Sequence, residues 1–411
     1  MSDQNTISPS RWAPLSLISV WRDRLILQMT QLCTRSVSRG RLRLTLPSGA
    51  SGVIGHGGAT EAHLVLTNFR VFNKAIRRGS IGFADAYMSG DVESPNLGDV
   101  LRFFIDNKSG LRASGRGYFK VRRSDTRFHA DRANTREGSK RNIAAHYDLG
   151  NAFYAAWLDR SMTYSSARFT AQDQTLEAAQ DEKNRRLIEG LDLKPGHTVL
   201  EIGCGWGGFA QAAATVGAHV TGLTISAEQL AYAEARIKAA GLSQRVDFRF
   251  QDYRDVTGTF DHVASVEMIE AVGEDHWPSY FKTIAACLKP GGTAMIQAIT
   301  IHPDSYESYR AKADFIQRYI FPGGMLPTEA LMAEHARAHG LTLETVETFG
   351  TDYVRTLKMW RHSFEQAWPR IATLGFDDRF RRMWLYYLIY CEVGFERGMT
   401  NVGHYRLTKP A

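Results

Sequence analysis

Through the second half of the chain, short apolar runs alternate with longer stretches whose apolar residues recur at helical spacing. Thr198–Ile202 (TVLEI), Ala218–Leu223 (AHVTGL), Val246–Phe250, His262–Val266 and Gly292–Ile301 each read as a strand bounded by turn residues. An Ala-rich helix follows Gly208, a second spans Ala227–Ala239, and a third runs from near Asp275 to Leu288, stopping at Lys289-Pro290-Gly291-Gly292. Repeating β-α units of this length predict an α/β fold, a doubly wound and mostly parallel sheet with helices on both faces. Ligands of such sheets bind at the carboxyl ends of the strands.

The first third is patterned differently. Residues 40–110 read as a small mixed domain: LRLTLPSG alternates like an exposed strand, HLVLTNFRVF supplies a second alternating run, and Asp99–Ile105 begins a helix after Ser94-Pro95-Asn96. Residues 111–141 are Arg-rich, poor in large aliphatics and hold three glycines, as a linker would, leading into a helix near Arg141–Tyr147. The expected layout is a domain over 1–110, a linker over 111–141 and a larger domain over 142–411. The apolar run Trp12–Val20 is cut off by Trp21-Arg22-Asp23-Arg24 and lacks a small-residue cleavage site, so no secretory signal is expected. Met383–Cys391 (MWLYYLIYC) is about half the length that spans a bilayer and reads as a buried helix.

With 44% hydrophobic and 23% charged residues, the 411-residue chain has ample material for a core, which excludes disorder as its main state. The net charge of +7 is uneven: residues 1–150 carry +11 and the rest −4. The basic excess is densest over 111–141, with ten basic and three acidic residues. Such a run is either a solvated linker or a docking surface for nucleic acid or anionic lipid. Cys33, Cys204, Cys287 and Cys391 lie far apart without a CxxC pair, which argues against a zinc ribbon or disulfide scaffold and fits a reduced cytosol.

Candidate chemistry starts at Glu201-Ile202-Gly203-Cys204-Gly205-Trp206-Gly207-Gly208, between the first strand of the β-α series and its helix. Glycines there allow positive φ and close backbone approach to a ligand. Glu201 can accept hydrogen bonds from a ligand ammonium, which a pyrophosphate does not need. The loop lacks GK[ST] and is not a P-loop.

Around this loop, VLEIGCGWGGFA, GLTISAEQLAYA, QDYRD, SVEMIEAVG, LKPGG, YIFPGGMLP and FGTDYVRTL follow in order, from HYDLGNAFY at His146 to Cys391. With these motifs the sequence resembles the cyclopropane-fatty-acyl-phospholipid synthase family of S-adenosylmethionine-dependent methyltransferases. The resemblance implies a class I methyltransferase, Rossmann-like with helical insertions. It implies that Tyr164 and Ser165 contact the cofactor, and that Glu201, Gly203 and Gly205 hold its methionine part, with Cys204 and Gly207 in the same loop. Thr224 and Gln229 would meet the ribose, and Asp252 and Tyr253 the adenine. Many methyltransferases carry an acidic residue at the end of the second strand, where this chain has Thr224.

Members of the family methylate a cis double bond of a phospholipid acyl chain. The intermediate is a carbocation, stabilised by aromatic faces and carboxylates until a base removes a proton. Ring closure gives a cyclopropane; proton loss without closure gives a methyl or methylene branch. The family's cyclopropane synthases use a bicarbonate held by Cys, Glu, His and Tyr. Glu270 and Tyr353 match, whereas Ser166 stands at the Cys position and Gln297 at the His position. Both can donate hydrogen bonds to an anion, but neither supplies an ionisable thiol or imidazole. Glu267 replaces the usual Gly three residues before Glu270, one turn away if the segment is helical. Paired carboxylates push one pKa upward, which suits a general base, although a partner for Arg or a Tyr hydroxyl is the commoner role. Glu270 is first in line as the base and Glu267 next, and the departures favour a branch-forming relative.

Cys391 matches a cysteine discussed as an active-site candidate, but LYYLIYCEVGF also suits a core cysteine. Tyr319, Phe321, Trp360, Trp368 and Trp384 suit either an acyl tunnel or the core. No metal is expected. The resemblance makes phospholipid acyl chains and an anionic membrane surface the expected partners, with no nucleic acid, for a cytoplasmic enzyme peripheral on the inner face of the membrane. Homo-oligomerisation stays open. The alternatives are a methyltransferase for another small lipid and a non-catalytic lipid-binding relative.

Overall fold

The computed structural model describes residues 17–58, 60–114 and 149–411, divided between a unit over Met1–Arg122 and a unit over Arg123–Ala411. In the first, helix α1 (Leu17–Cys33) precedes the antiparallel hairpin β1 (Arg41–Thr45) and β2 (Ser51–Ile54). β3 (Glu61–Leu66) pairs parallel with β1, and after helix α2 (Arg70–Met88) the short β4 (Val92–Glu93) closes the order β2-β1-β3-β4. Alternation sets the faces: Leu42 and Leu44 are buried while Arg41 and Arg43 point outward. The run HLVLTNFRVF is not one strand. It leaves the sheet after Leu66, and the Asn68 side chain accepts the backbone N–H of Arg70 to start α2. Helix α3 (Leu97–Asp106), capped by Asn96, and helix α4 (Lys108–Ser114) complete the unit. The expected linker therefore starts within a helix; its residues from 115 onward, and the helix expected at Arg141–Tyr147, lie outside the described residues.

The second unit is built on a seven-stranded sheet of order β10-β11-β9-β8-β5-β6-β7. Strands β5 (Thr198–Ile202), β6 (His219–Thr224), β7 (Val246–Phe250), β8 (Phe260–Val266) and β9 (Leu288–Ile301) are parallel. β10 (Thr342–Thr348) and β11 (Thr400–Thr408) extend the edge, β11 running antiparallel to both its neighbours. The connections hold helices α5 (Asn151–Tyr154), α6 (Leu176–Gly190), α7 (Gly208–Thr215), α8 (Ala227–Ala239) and α9 (Trp277–Cys287). Then follow α10 (Pro303–Arg310), α11 (Phe315–Tyr319), α12 (Glu329–Ala338), α13 (Gly350–Ala372) and α14 (Asp378–Glu396).

Both sheet faces are covered, which is why β5 and β8 read as continuous apolar runs rather than alternating ones. Leu200, Ile202, Val263 and Ile296 pack against Phe281 and Ile284 of α9, and Val199 and Met295 pack with Leu187 of α6 and Phe209 of α7. Met383–Cys391 lies inside α14, where Trp384–Leu388 are buried. Among the described residues no helix is long and apolar enough to cross a membrane.

Candidate active site

Strand β5 carries Glu201 to the carboxyl edge of the sheet and ends in the glycine loop. Gly203 and Gly207 both have φ of 81°. A Cβ on Gly203 would stand 2.8 Å from Met268 Cγ, so only glycine fits this close approach. Beside Gly205 (φ 50°) such an atom would meet nothing within 4 Å, so the loop keeps an open edge. Glu201 is buried, and burial pushes its carboxyl well above the usual range. Its Oε2 has no hydrogen-bond partner. A buried orphan carboxylate oxygen next to an open glycine edge fits the ammonium group of S-adenosylmethionine.

The remaining residues assigned to the cofactor divide into two groups. Thr224, ending β6, donates its hydroxyl to Gln229 Oε1 (3.0 Å), while Ser226 caps α8 between them. Cys204 is a buried thiol raised by burial, without a thiolate role. Asp252 is engaged by Arg254, which donates Nε to Oδ1 (2.9 Å) and Nη2 to Oδ2 (2.6 Å). Burial raises the neighbouring Tyr253 phenol. The Tyr164 hydroxyl meets the Tyr387 hydroxyl at 2.7 Å, and its ring packs tilted or edge-on among Tyr154, Trp157 and Trp360.

Glu267, immediately after β8, forms the second centre. Its Oε1 accepts the backbone N–H of Ser166 (2.8 Å) and the Gln297 Nε2 (2.8 Å), and its Oε2 accepts the Tyr353 hydroxyl (2.8 Å). Ser166 thus acts through its backbone; its hydroxyl turns to the carbonyl of Ala167. Three of the four positions that the resemblance assigns to bicarbonate therefore surround a carboxylate of the protein itself. With those donors taken up and a negative charge among them, a bicarbonate does not fit.

The backbone at Glu267 differs from the sequence expectation. Glu267 has φ of 48°, and the 3₁₀ turn that contains Glu270 begins only at Ile269, so the two carboxylates do not share a helix. A non-glycine residue in this region costs on the order of 1 kcal/mol, a strain typical of functional positions. Glu270 Oε1 accepts the N–H of Ile299 (2.5 Å), and its Oε2 is enclosed without a partner. Both residues keep some accessible surface while lying deep among protein atoms. Burial, and then the charge of Glu267, push Glu270 up to about 8. Burial raises Glu267 too, but its three donors and Lys183 oppose the rise. The three donors on Glu267 against one on Glu270 thus favour the charge on Glu267 and the proton on Glu270.

Cys391 lies within electrostatic range of Tyr353 and Tyr387, its thiol raised by burial and by Asp314. Trp360 and Trp384 are fully buried and pack on Trp157, whereas Phe321 meets Tyr387, Tyr319 meets Phe315 and Trp368 meets Phe364. Among the described residues no cluster of metal-ligating side chains occurs.

Two supporting groups escaped the sequence reading. Lys183 of α6, fully buried, donates to Ser165 Oγ (2.7 Å) and Gln180 Oε1 (2.6 Å), while Gln180 Nε2 donates to the Ser165 carbonyl (2.9 Å). This grip on Ser165 aims the next N–H, that of Ser166, at Glu267. The Gln-x-x-Lys spacing on an otherwise charged helix was the available signal. The second group, His404, Glu347 and Arg168, lies behind Gln297, and its members are scattered over 237 positions of sequence.

A sequence model of the family described as mycolic acid cyclopropane synthetase matches residues 134–405. The chain is 41% identical over 342 residues to the tuberculostearic acid methyltransferase UfaA1 of Mycobacterium tuberculosis, covering 81% of this chain and 80% of that protein. It is 35% identical over 367 residues to the cyclopropane-fatty-acyl-phospholipid synthase of Escherichia coli, covering 84% and 90%. Among solved structures, the mycolic acid cyclopropane synthase CmaA1 complexed with SAH and CTAB superposes with a TM-score of 0.62 at 28% identity, over 66% of this chain and 98% of that one. The chain belongs to the mycolic acid cyclopropane synthetase family and is an S-adenosylmethionine-dependent methyltransferase of lipid acyl chains.

Proposed function

We propose that the enzyme methylates the cis double bond of a phospholipid acyl chain and leaves a methylene branch, with Glu267 as the base. The observation that carries this reading is the Glu267 carboxylate itself, held by Ser166 N–H, Gln297 and Tyr353. When bound, S-adenosylmethionine supplies an electrophilic methyl group and departs as a neutral thioether. The alkene's π pair forms the new carbon–carbon bond, and the positive charge falls on the adjacent carbon. The aromatic rings of Tyr164 and Tyr387 suit that cation. A hydride shift moves the charge to the methyl-bearing carbon, and Glu267 then takes a proton from the methyl group, leaving a C=CH₂ unit.

The choice of branch over ring follows from how the base is held. A carboxylate fixed in one orientation by three hydrogen bonds reaches the methyl proton less readily than a mobile anion would, so the cation survives long enough for the hydride shift. Neutral Glu270 beside it adds no competing charge.

An anionic bilayer is the proposed working surface. The basic excess lies in residues 1–150, and α1 leaves Trp21 (71% exposed), Leu25, Met29 and Leu32 on one face with Arg22 and Arg24 beside them. Aromatic and aliphatic side chains rimmed by arginine suit the headgroup boundary of anionic lipid.

The test is incubation with unsaturated phospholipid vesicles and methyl-labelled S-adenosylmethionine, followed by mild hydrogenation and mass spectrometry. A methylene product is reduced and a cyclopropane is not. A labelled but unreduced product would overturn the branch reading, and absence of label in lipid would overturn the substrate.

A further inference from the structure

The Glu267 network continues one strand outward. Gln297 of β9 lies directly opposite His404 of β11, and His404 Nε2 stands 3.0 Å from Gln297 Oε1. The amide's orientation is fixed by what its nitrogen meets: Ser166 O at 3.1 Å and Glu267 Oε1 at 2.8 Å, both acceptors. Its oxygen must therefore face His404, and His404 Nε2 must carry a proton. On the other side of the ring, Nδ1 is 3.1 Å from Glu347 Oε1. An ionised carboxylate only accepts, so Nδ1 must carry a proton as well.

Glu347 is kept ionised. Its carboxyl lies at about 2, held there by the His404 hydrogen bond and by Arg168. Arg168 donates Nε to Oε2 at 3.1 Å, and Arg186 stands 3.8 Å away. Burial lowers His404 from the ordinary histidine value, and the charges of Lys183 on α6 and of Arg168 act the same way, more than the hydrogen bond and charge of Glu347 restore. The acceptors that face the two ring nitrogens, the Glu347 carboxylate on β10 and Gln297 Oε1 on β9, outweigh that lowering. A neutral ring would turn a lone pair toward either Gln297 Oε1 or Glu347 Oε1 in a site where His404 is 1% exposed and water has no access.

We propose that His404 is an imidazolium paired with Glu347 and a positioning residue for Glu267, locking the Gln297 amide so that its N–H points at the base. The ionisable imidazole that Gln297 lacks is thus supplied from the neighbouring strand. The link to catalysis rests on the reading of Glu267 as base; the protonation state of His404 does not.

The full-chain protein labelled with ¹⁵N-histidine tests both parts. Comparison with His404→Gln assigns the ring, and both of its nitrogens are expected to be protonated at a pH above the ordinary histidine range. A neutral ring signature there would overturn the proposal. In kinetics, His404→Phe is expected to lose about ten- to a hundredfold in kcat, with unchanged KM for S-adenosylmethionine and the acid limb of its pH profile moved upward. His404→Gln, which keeps a donor toward Gln297, is expected to recover much of the rate. Equal losses in both variants with unmoved pH profiles would overturn the positioning role. Should His404→Phe fail to fold, Glu347→Gln replaces it: the ring is then expected to lose a proton, and an unchanged signature would count against the pair. Wild-type protein that leaves lipid unlabelled but shows the doubly protonated ring would sink the proposed function alone.

Discussion

Tyr353 donates its hydroxyl to Glu267 Oε2 across 2.8 Å, joining α13 to the residue that follows β8. The bond favours the ionised carboxylate and holds it in one orientation. Tyr353→Phe is therefore expected to raise the Glu267 pKa. Because the base must be ionised, the acid limb of the kcat profile should move to higher pH, with a loss of about tenfold near neutrality. A profile superimposable on that of the wild type would remove Tyr353 from the network.

Removing the base itself separates two models of the site. Glu267→Gln keeps the volume but cannot take a proton, and a loss of roughly 10²–10⁴-fold is expected. Glu267→Gly relieves the left-handed backbone and leaves the Ser166, Gln297 and Tyr353 donors facing a vacated space. Added formate or bicarbonate should restore part of its rate, and neither should rescue Glu267→Gln. Rescue that is absent in the glycine variant, measured as label transferred to lipid, would contradict the assignment.

Glu270 makes the opposite prediction. Its carboxyl is raised to about 8 in the folded protein against about 4.5 in the unfolded chain, so its contribution to stability is complete below the lower value. That contribution is lost as pH rises through the folded value, because the unfolded chain ionises first. Glu270→Gln removes the dependence. The melting temperature of the variant relative to wild type should climb between pH 5 and 8, and the variant should keep substantial activity. A gap that stays flat with pH, or activity as low as in Glu267→Gln, would return the role of base to Glu270.

How far the sequence carried this picture depends on how local each feature is. The parallel strands and α8 are written in contiguous residues, so TVLEI and Ala227–Ala239 coincide with β5 and α8 to the residue. HLVLTNFRVF misled because alternation in the pattern says nothing about an Asn68 turn that bends the chain into a helix. The residues around Glu267 could be named from motifs, but not which atom of Ser166 would act. The conformation at Glu267 was hidden as well, since spacing suggests a helical turn where the backbone is left-handed. Lys183 and His404 were missed for one reason: each touches the site through another side chain, and sequence spacing does not report contacts between distant strands.

Lys183 can be tested through its charge. It is the cation that faces Glu267 from α6, and burial has brought it down to about 8. Lys183→Met removes both the hold on Ser165 and the positive charge. Activity should fall, with the acid limb of the profile displaced upward, while Lys183→Arg should restore the limb even where packing lowers the rate. Identical limbs in Met and Arg variants would reduce Lys183 to a structural part.

The α1 face offers the last prediction, independent of the catalytic centre. Trp21 and Leu25 lie one turn apart and are 71% and 59% exposed, an apolar pair that the proposed bilayer boundary would cover. Burying either side chain at a bilayer boundary is worth about 1.5–3 kcal/mol, or roughly a tenfold change in partitioning or more. Trp21→Ser and Leu25→Ser should each weaken binding to anionic vesicles by about that factor and leave turnover on detergent-dispersed lipid intact. Added salt should weaken the wild type further, because the arginine contribution is screened. Sedimentation with vesicles of graded anionic content reads both effects at once. Binding indifferent to the two substitutions, to salt and to lipid charge would place the docking surface elsewhere.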